Sequence, residues 1–568
     1  FYAVKSAMLK CSKFLPCLSS RYLDKFTEFL RLFVTFHVHR FEDNVPVFLA
    51  LLFEYTFQQP VVERYFTCLD IWAVFLDFLT NKRNKDMIVQ KYRDVLLTLV
   101  HEILKKSLFK FNQSSLEELD DEALDDSLQT EWQCFLQHSL NIVTKVAEII
   151  PHDVQAQVLT LFEKELAVYL ELERFVDGST LRVVAENDCR RLHCSLRDLS
   201  SLLQAVGSLG ENVSSTYNTV PKICHAANYS SRMRFYDMKT AAPSVLQWDL
   251  IEVHAQLLAA LKAFTHWLSQ CHTECLQNGS RKDEFTTLVG GYVDAALPCI
   301  QRESPEKVTH SAAHLLVSLT LVRPSFLFSL PSMQQFFVAV CDHTLRPLPP
   351  QPELLVLRSL HNMVVLPWPS TCDASQEWDT RAAHHRRLVA SVTGVLSQIA
   401  ASPQFATSHH LQLQMRPSVK WMVAVVHDLV DSLQGTSTRT KQLCHQGWTD
   451  VFNGILALFP IYLNDKDMTE GILDVLLSMF RVLQAQLGVA FVERMLQTFL
   501  NLFTRDQLQG CILKEGSAGI RVVERFISLL QEVVQEPSNA FKAFLPRIID
   551  LCMDEIYPIV AEVRTLCL

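Results

Sequence analysis

The amino-acid sequence predicts an all-α protein, specifically a HEAT-like helical-repeat solenoid, an alpha-alpha superhelix. Three observations support this: apolar residues recur at helical spacing, glycine and proline are scarce, and the chain is long. The 568 residues include 15 Gly and 22 Pro, about half the usual combined share of roughly 12%, which disfavours hairpin-rich β folds. Because a single compact core stops growing at roughly 250 to 300 residues, such a chain forms several domains or one extended repeat array.

Helical periodicity is clearest in the C-terminal part of the chain. Apolar side chains follow the i, i+3, i+4, i+7 pattern over residues 472–483, 492–503 and 522–534, which predicts an amphipathic helix in each range. Elsewhere an apolar residue followed by proline ends a helix, as at Pro151 and Pro460, and another helical pattern begins a few residues later. Short antiparallel helical pairs are therefore expected.

The spacing of prolines agrees with repeated helical pairs. Pro16 and Pro60 are 44 residues apart, and Pro324 and Pro367 are 43 residues apart, close to the roughly 40 to 47 residues of HEAT and armadillo units. We therefore expect one continuous HEAT-repeat array over residues 1–568. Phe1 is not an initiator residue and the helical pattern starts without a cap, so the chain is expected to be a fragment of a larger protein.

Three segments interrupt the helical pattern. Residues 114–130 hold seven acidic residues and no basic one between two predicted helices, which predicts an acidic inter-helix loop. Residues near 208–240 mix Gly, Asn, Ser and Tyr, and residues near 367–417 are rich in Ser, Gln and His. Irregular insertions are expected in both ranges.

Composition excludes several classes of protein. Lys and Arg total 52 against 61 Asp and Glu, a net charge of −9, so the basic field that nucleic-acid binding needs is missing. The 16 Cys are scattered through helix-like sequence, which indicates reduced thiols in the cytosol or nucleus. The longest uncharged stretches are interrupted by Pro, Gln, Ser or His and would make poor membrane spans. We expect neither nucleic-acid binding nor membrane insertion.

The sequence offers little support for catalysis or for a bound cofactor. The motifs GxxxxGK[ST], GxGxxG, HExxH and GxSxG are all missing. Cys271, His272 and Cys275 lie within one helical turn, but structural zinc normally takes four ligands in two spaced pairs. The pairs His384-His385 and His409-His410 occur in loop-like sequence and are interpreted as solvated polar surface. The sequence therefore predicts no enzyme activity, no cofactor and no metal site.

The acidic segment is the strongest candidate for a contact with a partner. A block of like charge repels itself and is either solvated or paired with a basic surface. One interpretation is a solvated linker, and the other is a contact surface for a basic partner. The acidic residues of this candidate site are Glu117, Glu118, Asp120, Asp121, Glu122, Asp125 and Asp126.

Six stretches of the chain have the packing patterns of a known family. They are TEWQCFLQHSLNIVTKVAEIIP at 130–151, DCRRLHCSLRDLSSLLQAVG at 188–207, LPWP at 366–369, QTFLNLFTRDQL at 497–508, VVERFISLLQEVVQEP at 522–537 and FLPRIIDLCMDEIYPIVAE at 544–562. These stretches resemble sequences of the importin-beta (karyopherin) superfamily. The similarity is carried by packing patterns rather than by catalytic signatures, and it extends over nearly the whole chain.

This resemblance implies a transport receptor that shuttles between nucleus and cytoplasm. Within the superfamily the similarity is to the branch that exports actin and profilin–actin with the GTP form of the small GTPase Ran, which itself performs the hydrolysis. Nucleoporins are further partners implied by the family, and its main Ran contact is made by N-terminal repeats that this chain is expected to lack. The family also uses acidic inter-helix loops against Ran, which favours the contact interpretation of residues 117–126.

Two other classes of protein stay open at this point. A helical-repeat scaffold with no Ran-linked transport role has the same composition and periodicity and differs only in the family resemblance. An enzyme that uses a Cys/His pair is the second alternative, and the motif search argues against it. A pull-down from nuclear extract with and without GTP-locked Ran separates the receptor from the scaffold.

Overall fold

The computed structural model describes most of the chain. The described residues are 1–14, 18–40, 42–82, 85–120, 123–124, 129–182, 186–210, 216–240, 244–278, 282–345, 347–367, 374–535 and 541–566. They divide into two compact units, Phe1–Ser318 and Leu319–Leu568. Each unit is built from helices, and the predicted all-α helical-repeat fold is confirmed.

Among the described residues of the first unit, fourteen α-helices begin and five two-residue strands occur. Its helices are α1 Tyr2–Phe14, α2 Ser20–His37, α3 Val45–Phe57, α4 Val62–Thr80, α5 Lys85–Ser107, α6 Phe109–Asp120, α7 Glu131–Ala147, α8 Pro151–Leu170, α9 Glu186–Ser208, α10 Thr216–Met233, α11 Ser244–Ala263, α12 Thr265–Asn278, α13 Lys282–Ala296 and α14 Glu306–Thr320. Its strands are β1 Ala123–Leu124, β2 Gln129–Thr130, β3 Val176–Asp177, β4 Thr180–Leu181 and β5 Lys239–Thr240. The pairs β1–β2 and β3–β4 are antiparallel, whereas β4 and β5 are parallel.

Successive helical pairs of the first unit stack into two layers. One layer runs through α1, α3, α5, α8, α10 and α13, each in contact with the next. The other layer runs in the same way through α2, α4, α7, α9 and α11. Each pair contributes one helix to each layer, so the apolar core is continuous between the layers, as in other helical-repeat arrays.

The second unit repeats this arrangement with shorter helices near its end. Its helices are α15 Pro324–Ser329, α16 Pro331–Cys341, α17 Pro350–Val365, α18 Ala374–Ala400, α19 His409–Asp431, α20 Thr438–Leu458, α21 Lys466–Leu487, α22 Val489–Leu502, α23 Arg505–Gln509, α24 Gly516–Val534, α25 Leu545–Asp550 and α26 Tyr557–Leu566. One layer runs through α15, α17, α19, α21 and α24, and another includes α16, α18 and α20.

Short 3₁₀ and π-helical turns join some of these elements. The 3₁₀ turns are Val38–Arg40, Glu42–Asn44, Leu172–Phe175, Phe235–Asp237, Leu297–Cys299 and Lys542–Phe544, and the π-helical segments are Gly510–Lys514 and Leu551–Ile556.

Local sequence signals account for several helix ends. Thr130 caps α7 in a capping box, in which its hydroxyl accepts from the Gln133 backbone N–H and the Gln133 side chain accepts from the Thr130 N–H. Pro151 opens α8, where its missing N–H leaves no helical hydrogen bond unmade. The periodic ranges 472–483 and 522–534 lie within α21 and α24, so these predicted helices are confirmed.

Two ranges expected to be irregular are largely helical. Residues 208–240 include α10 and the short turn Phe235–Asp237, and residues 367–417 include all of α18 and the start of α19. The Ser-, Gln- and His-rich sequence obscured an apolar stripe at helical spacing in α18, where Leu388, Val392 and Val395 are buried. Composition alone is therefore a poor guide in this part of the chain.

The two histidine pairs of the sequence differ in their exposure to solvent. His409 and His410 are exposed at the start of α19, as predicted. His384 and His385 lie within α18, which corrects the prediction of a solvated loop. The ring of His384 packs against Phe328, with 4.8 Å between ring centroids, and His385 is fully buried. Adjacent positions on a helix point in different directions, so one imidazole reaches the core and the other its edge.

Candidate functional site

A large groove opens on the first unit. It has a volume of about 1600 Å³ and is lined by side chains from the helices α7, α9, α11 and α14, together with Asp120 at the end of α6. The groove is therefore formed by several repeats acting together, because no single helical pair presents so wide a surface.

The side chains of the groove combine aromatic, apolar and charged groups. Trp248 on α11 lines it and is 71% exposed, an unusual position for so large an apolar ring. Lys307 on α14 forms an ion pair with Glu252 on α11, and both side chains line the groove. An exposed tryptophan near positively and negatively charged side chains is typical of a surface that binds another protein.

Asp120 connects the acidic segment to this groove. One carboxylate oxygen accepts a hydrogen bond from the Arg197 guanidinium on α9 at 2.7 Å, and the other accepts from the Thr130 hydroxyl at 3.0 Å. Asp120 therefore ties the end of α6 to the beginning of α7 and to α9. Arg197 also lies over the ring of Phe109, 4.6 Å from its centroid.

The other end of α6 is held by a buried carboxylate. Asp198 on α9 accepts hydrogen bonds from the backbone N–H groups of Phe109 at 2.6 Å and of Lys110 at 3.2 Å. These donors belong to the first turn of α6, where backbone N–H groups have no partner within the helix. Burial raises the pKa of Asp198 to about 7, against the lowering effect of the two backbone donors.

A histidine on α9 joins α6 to α11. His193 Nδ1 lies 2.6 Å from a carboxylate oxygen of Asp249, and its Nε2 lies 3.5 Å from a carboxylate oxygen of Glu117. Burial alone lowers the pKa of His193, but the hydrogen bond and the charge of Asp249 outweigh burial, and the net pKa is raised. For Asp249 burial is the larger effect, and its pKa is raised in spite of His193.

The structure revises the boundaries of the predicted acidic loop. Residues 114–120 belong to α6, so Glu117, Glu118 and Asp120 lie on a helix rather than in a loop. Glu118 is exposed, whereas Glu117 and Asp120 have partners within the chain. The remaining acidic residues of the candidate site lie outside the described residues: Asp121, Glu122, Asp125 and Asp126.

The helical continuation has a physical reason. Leu116 is buried, and its burial extends the apolar face of α6 beyond the point at which the charge pattern suggested a loop. Sequence reasoning missed Trp248 and Arg197, because a single tryptophan or arginine on a helix carries no signal of its position in the array. The proximity of α7, α9 and α11 can be predicted from the spacing of successive helical pairs only when the helix boundaries are already known.

The cysteine-rich segment of α12 shows packing rather than convergence in its described side chains. Cys271 is buried, and the ring of His272 lies 5.0 Å from that of Phe285. The side chain of Cys275 is outside the described part of the chain. Among the helices described here, none is both long enough and apolar enough to cross a membrane.

The fold and the groove together define an α-helical repeat protein with a broad groove formed by several of its helices. Comparison with known proteins agrees with this class. The chain is 43% identical to exportin-6-A of Xenopus laevis, 44% identical to exportin-6 of Danio rerio and 43% identical to exportin-6 of Homo sapiens, in each case over 96% of this chain and 50% of the relative. The chain is therefore a homologue of exportin-6 that spans about half the length of these curated relatives.

A more distant relative shares 26% identity over 95% of this chain, exportin-6 of Dictyostelium discoideum. No family model matches the sequence. Among solved structures, the karyopherin Kap121p bound to the extreme C-terminus of the phosphatase Cdc14p aligns with a TM-score of 0.40 and 10% identity, covering 96% of this chain and 62% of that chain.

Proposed function

We propose that this chain forms part of a nuclear export receptor that binds protein cargo together with Ran-GTP and carries it to the cytoplasm. The proposed cargo is actin and its complex with profilin, and nucleoporins are proposed as partners during passage. The observation that carries the proposal is identity of 43% to 44% with exportin-6 over 96% of the chain. The chain acts as a binding scaffold in this proposal, and Ran performs the GTP hydrolysis.

The groove of the first unit is the proposed docking surface for a protein partner. Trp248 offers a rigid aromatic anchor whose apolar surface becomes buried when a partner binds. Arg197, Lys307 and Glu252 around it offer charged hydrogen-bonding groups that can set the orientation of the partner. This combination suits recognition of a folded protein surface better than recognition of a small apolar ligand, since the groove is wide and polar in part.

The acidic segment is proposed as a second contact, against a basic surface of Ran or of the cargo. Its residues are Glu117, Glu118, Asp120, Asp121, Glu122, Asp125 and Asp126. The placement of Asp120 at the edge of the groove supports the idea that one partner can reach both surfaces. Complementary charge acts mainly on the association rate and is screened at physiological salt, where the Debye length is about 8 Å.

Cooperation between Ran-GTP and cargo follows from linkage in this proposal. If both partners favour the same arrangement of the helical repeats, each raises the affinity of the other by the same factor. Such coupling is typically about 1 to 3 kcal/mol. A stack of helical pairs suits this role, because small changes between neighbouring pairs add along the array.

A binding experiment with the full-length receptor tests the proposal. The receptor is immobilised and incubated with nuclear extract, with and without GTP-locked Ran, and bound actin is measured. We expect actin to be retained several-fold more strongly when GTP-locked Ran is present, by the coupling above. Equal retention in both conditions would instead support the scaffold with no Ran-linked role.

A charge-matched pair of variants tests the acidic segment separately. In the first variant the acids with no described structural role become amides: Glu118, Asp121, Glu122, Asp125 and Asp126. In the control five exposed acids of the second unit become amides: Asp379, Asp450, Asp506, Glu524 and Asp554. We expect the first variant to associate with Ran-GTP or with the cargo about tenfold more slowly than the wild type at low salt, and the control to associate at the wild-type rate. Equal rates in both variants would identify the segment as a solvated linker.

A further inference from the structure

Three metal-ligating side chains converge in the core of the second unit. His361 lies on α17, His385 on α18 and Cys444 on α20, and each is fully buried. The Cys444 sulfur is 3.2 Å from Nε2 of His361 and 3.5 Å from Nε2 of His385. Within the described residues, this trio is the group of histidine, cysteine and carboxylate side chains whose donor atoms lie close enough together to share one metal ion.

The surrounding core is shaped around the two imidazoles. The ring of Trp448 packs on both, with centroid distances of 6.4 Å to His361 and 5.8 Å to His385. Gly447 leaves room for His385, because a Cβ atom at this glycine would lie only 2.3 Å from its Nδ1. A glycine within a helix lowers helix stability, so a close approach of this kind is a reason for its presence.

The trio is not a fully satisfied polar network. In the part of the chain that the structure describes, Nδ1 of His361 and Nδ1 of His385 have no hydrogen-bond partner. Each imidazole directs its other nitrogen, Nε2, at the Cys444 sulfur, and the single S–H of Cys444 can donate to only one of these two nitrogens. Buried polar groups in native proteins are nearly always paired, and a buried group left without a partner commonly marks an ion that completes the site. Two histidines and a cysteine with converging donor atoms are therefore more than ordinary core packing.

We infer that His361, His385 and Cys444 form a buried binding site for a thiophilic closed-shell cation, Zn²⁺ or Cu⁺. With typical metal–nitrogen and metal–sulfur bonds, a nitrogen and a sulfur ligand of one ion are about 3.5 to 3.8 Å apart. The two observed separations, 3.2 and 3.5 Å, need to widen by only a few tenths of an ångström. The helices therefore present these donors close to the geometry that binding requires.

The chemistry of the donors sets the class of ion. A thiolate with two imidazoles suits Zn²⁺ and Cu⁺, whereas Mg²⁺ and Ca²⁺ prefer oxygen ligands. On binding, the metal–sulfur bond replaces the S–H bond of Cys444 and one proton leaves to solvent, with no change in oxidation state. A Cu⁺–thiolate pair is neutral overall and suits three donors in a dry core, whereas Zn²⁺ needs a fourth donor.

The test measures metal in the intact chain, which is loaded during folding because the site is closed. The protein is expressed in medium supplemented with Zn²⁺ or with copper, purified without chelator, and its metal content is determined by mass spectrometry. In parallel the unfolded wild-type protein is refolded with Co²⁺, whose thiolate charge-transfer absorption in the near-ultraviolet reports a Co–S bond. We expect one ion per chain in one of the two media, and that absorption band in the cobalt sample.

Variants assign the ion to this site. Cys444→Ser and His385→Asn should each abolish stoichiometric metal, whereas Cys341→Ser and Cys271→Ser, which change other buried cysteines, should retain it. Circular dichroism establishes that each variant is folded, and His385→Asn decides the assignment if Cys444→Ser does not fold. Wild-type protein with no metal from either medium and no cobalt–thiolate band would overturn the inference. So would metal lost with Cys271→Ser rather than with Cys444→Ser.

Discussion

The guanidinium of Arg197 on α9 donates a hydrogen bond of 2.7 Å to the carboxylate of Asp120, the last residue of α6. Both residues line the groove of the first unit, and they are 77 positions apart in the chain. The hydrogen bond gives Asp120 a structural role that its neighbour Glu118, which is exposed, does not share.

The first prediction separates these two acids. Asp120→Asn should destabilise the docking of α6 by about 1 kcal/mol, because the pair is partly exposed and solvent screens it. Hydrogen exchange of the backbone amides of α6, followed by mass spectrometry, measures this local effect. Glu118→Gln is the matched control and should leave exchange unchanged. Equal protection in both variants would show that Asp120 does not hold α6 in place.

The second prediction concerns pH and His193. Its pKa is raised above the ordinary value of 6.5 in the folded protein, so the contribution of its charge to stability is complete below pH 6.5. This contribution is lost as the pH rises through the raised value. The difference in unfolding free energy between wild type and His193→Gln should therefore shrink as the pH increases from 6.5.

Asp249 on α11, Glu117 on α6 and Arg197 on α9 face this histidine and stay unchanged in the comparison. Chemical denaturation at a series of pH values measures the difference, with His409→Gln, an exposed histidine, as the control variant. A difference that is constant from acid to alkaline pH would mean that the imidazole stays neutral in its contact with Asp249.

The third prediction tests the exposed tryptophan of the groove. Trp248→Ala should weaken binding of the protein partner by about 2 kcal/mol, roughly 30-fold, if the ring is a central anchor of the interface. Isothermal titration of the full-length protein with the proposed partner measures the affinity. Phe111→Ala is the control, because Phe111 is a 54% exposed aromatic residue of the same unit that does not line the groove. Similar losses in both variants would argue against a special role of the groove.

The fourth prediction concerns a buried ion pair in the second unit. Arg381 on α18 pairs with Glu377 at 2.9 Å and donates to the backbone carbonyls of Val364, Val365 and Leu366 at the end of α17. Arg381→Ala should destabilise the unit by about 3 to 5 kcal/mol, because it leaves a buried carboxylate and helix-end carbonyls without a donor. Thermal unfolding measures the loss.

Arg387 on the same helix provides the matched control. Its ion pair with Asp342 is largely exposed, with 43% and 46% of the two side chains accessible. Solvent screens such a pair, so Arg387→Ala should leave the unfolding temperature close to that of the wild type. A comparable loss in the two arginine variants would mean that burial does not distinguish these pairs.

Prediction from the sequence succeeded where one helix contains the whole signal. The apolar positions of residues 472–483 and 522–534 define α21 and α24, because a single periodic face is enough to specify an amphipathic helix. It failed where composition was used instead of periodicity. The Ser- and His-rich range that includes α18 looks irregular by composition, yet its few apolar residues lie on one face and are buried.

The two proposed sites could not be predicted from local sequence patterns either. In the sequence His385 is adjacent to His384, and this pair is predicted to be solvated polar surface. The residues that His385 contacts in the core, Cys444 and His361, are 59 and 24 positions away. Nothing local connects them, since the stacking of α17, α18 and α20 brings them together. Trp248 likewise becomes part of a groove only when α7, α9, α11 and α14 align.

The helical class, the repeated pairing of helices and the concentration of negative charge before α7 can be predicted from the amino-acid sequence, because these features depend on residues within one or two turns of each other. Only the packing of the helices shows that Asp120 is bound by Arg197 and that Glu118 is exposed. It also decided which buried side chains meet. Contacts between helices depend on how whole helices are rotated and stacked. A shift of one helix by a single residue position brings a different side chain into the contact.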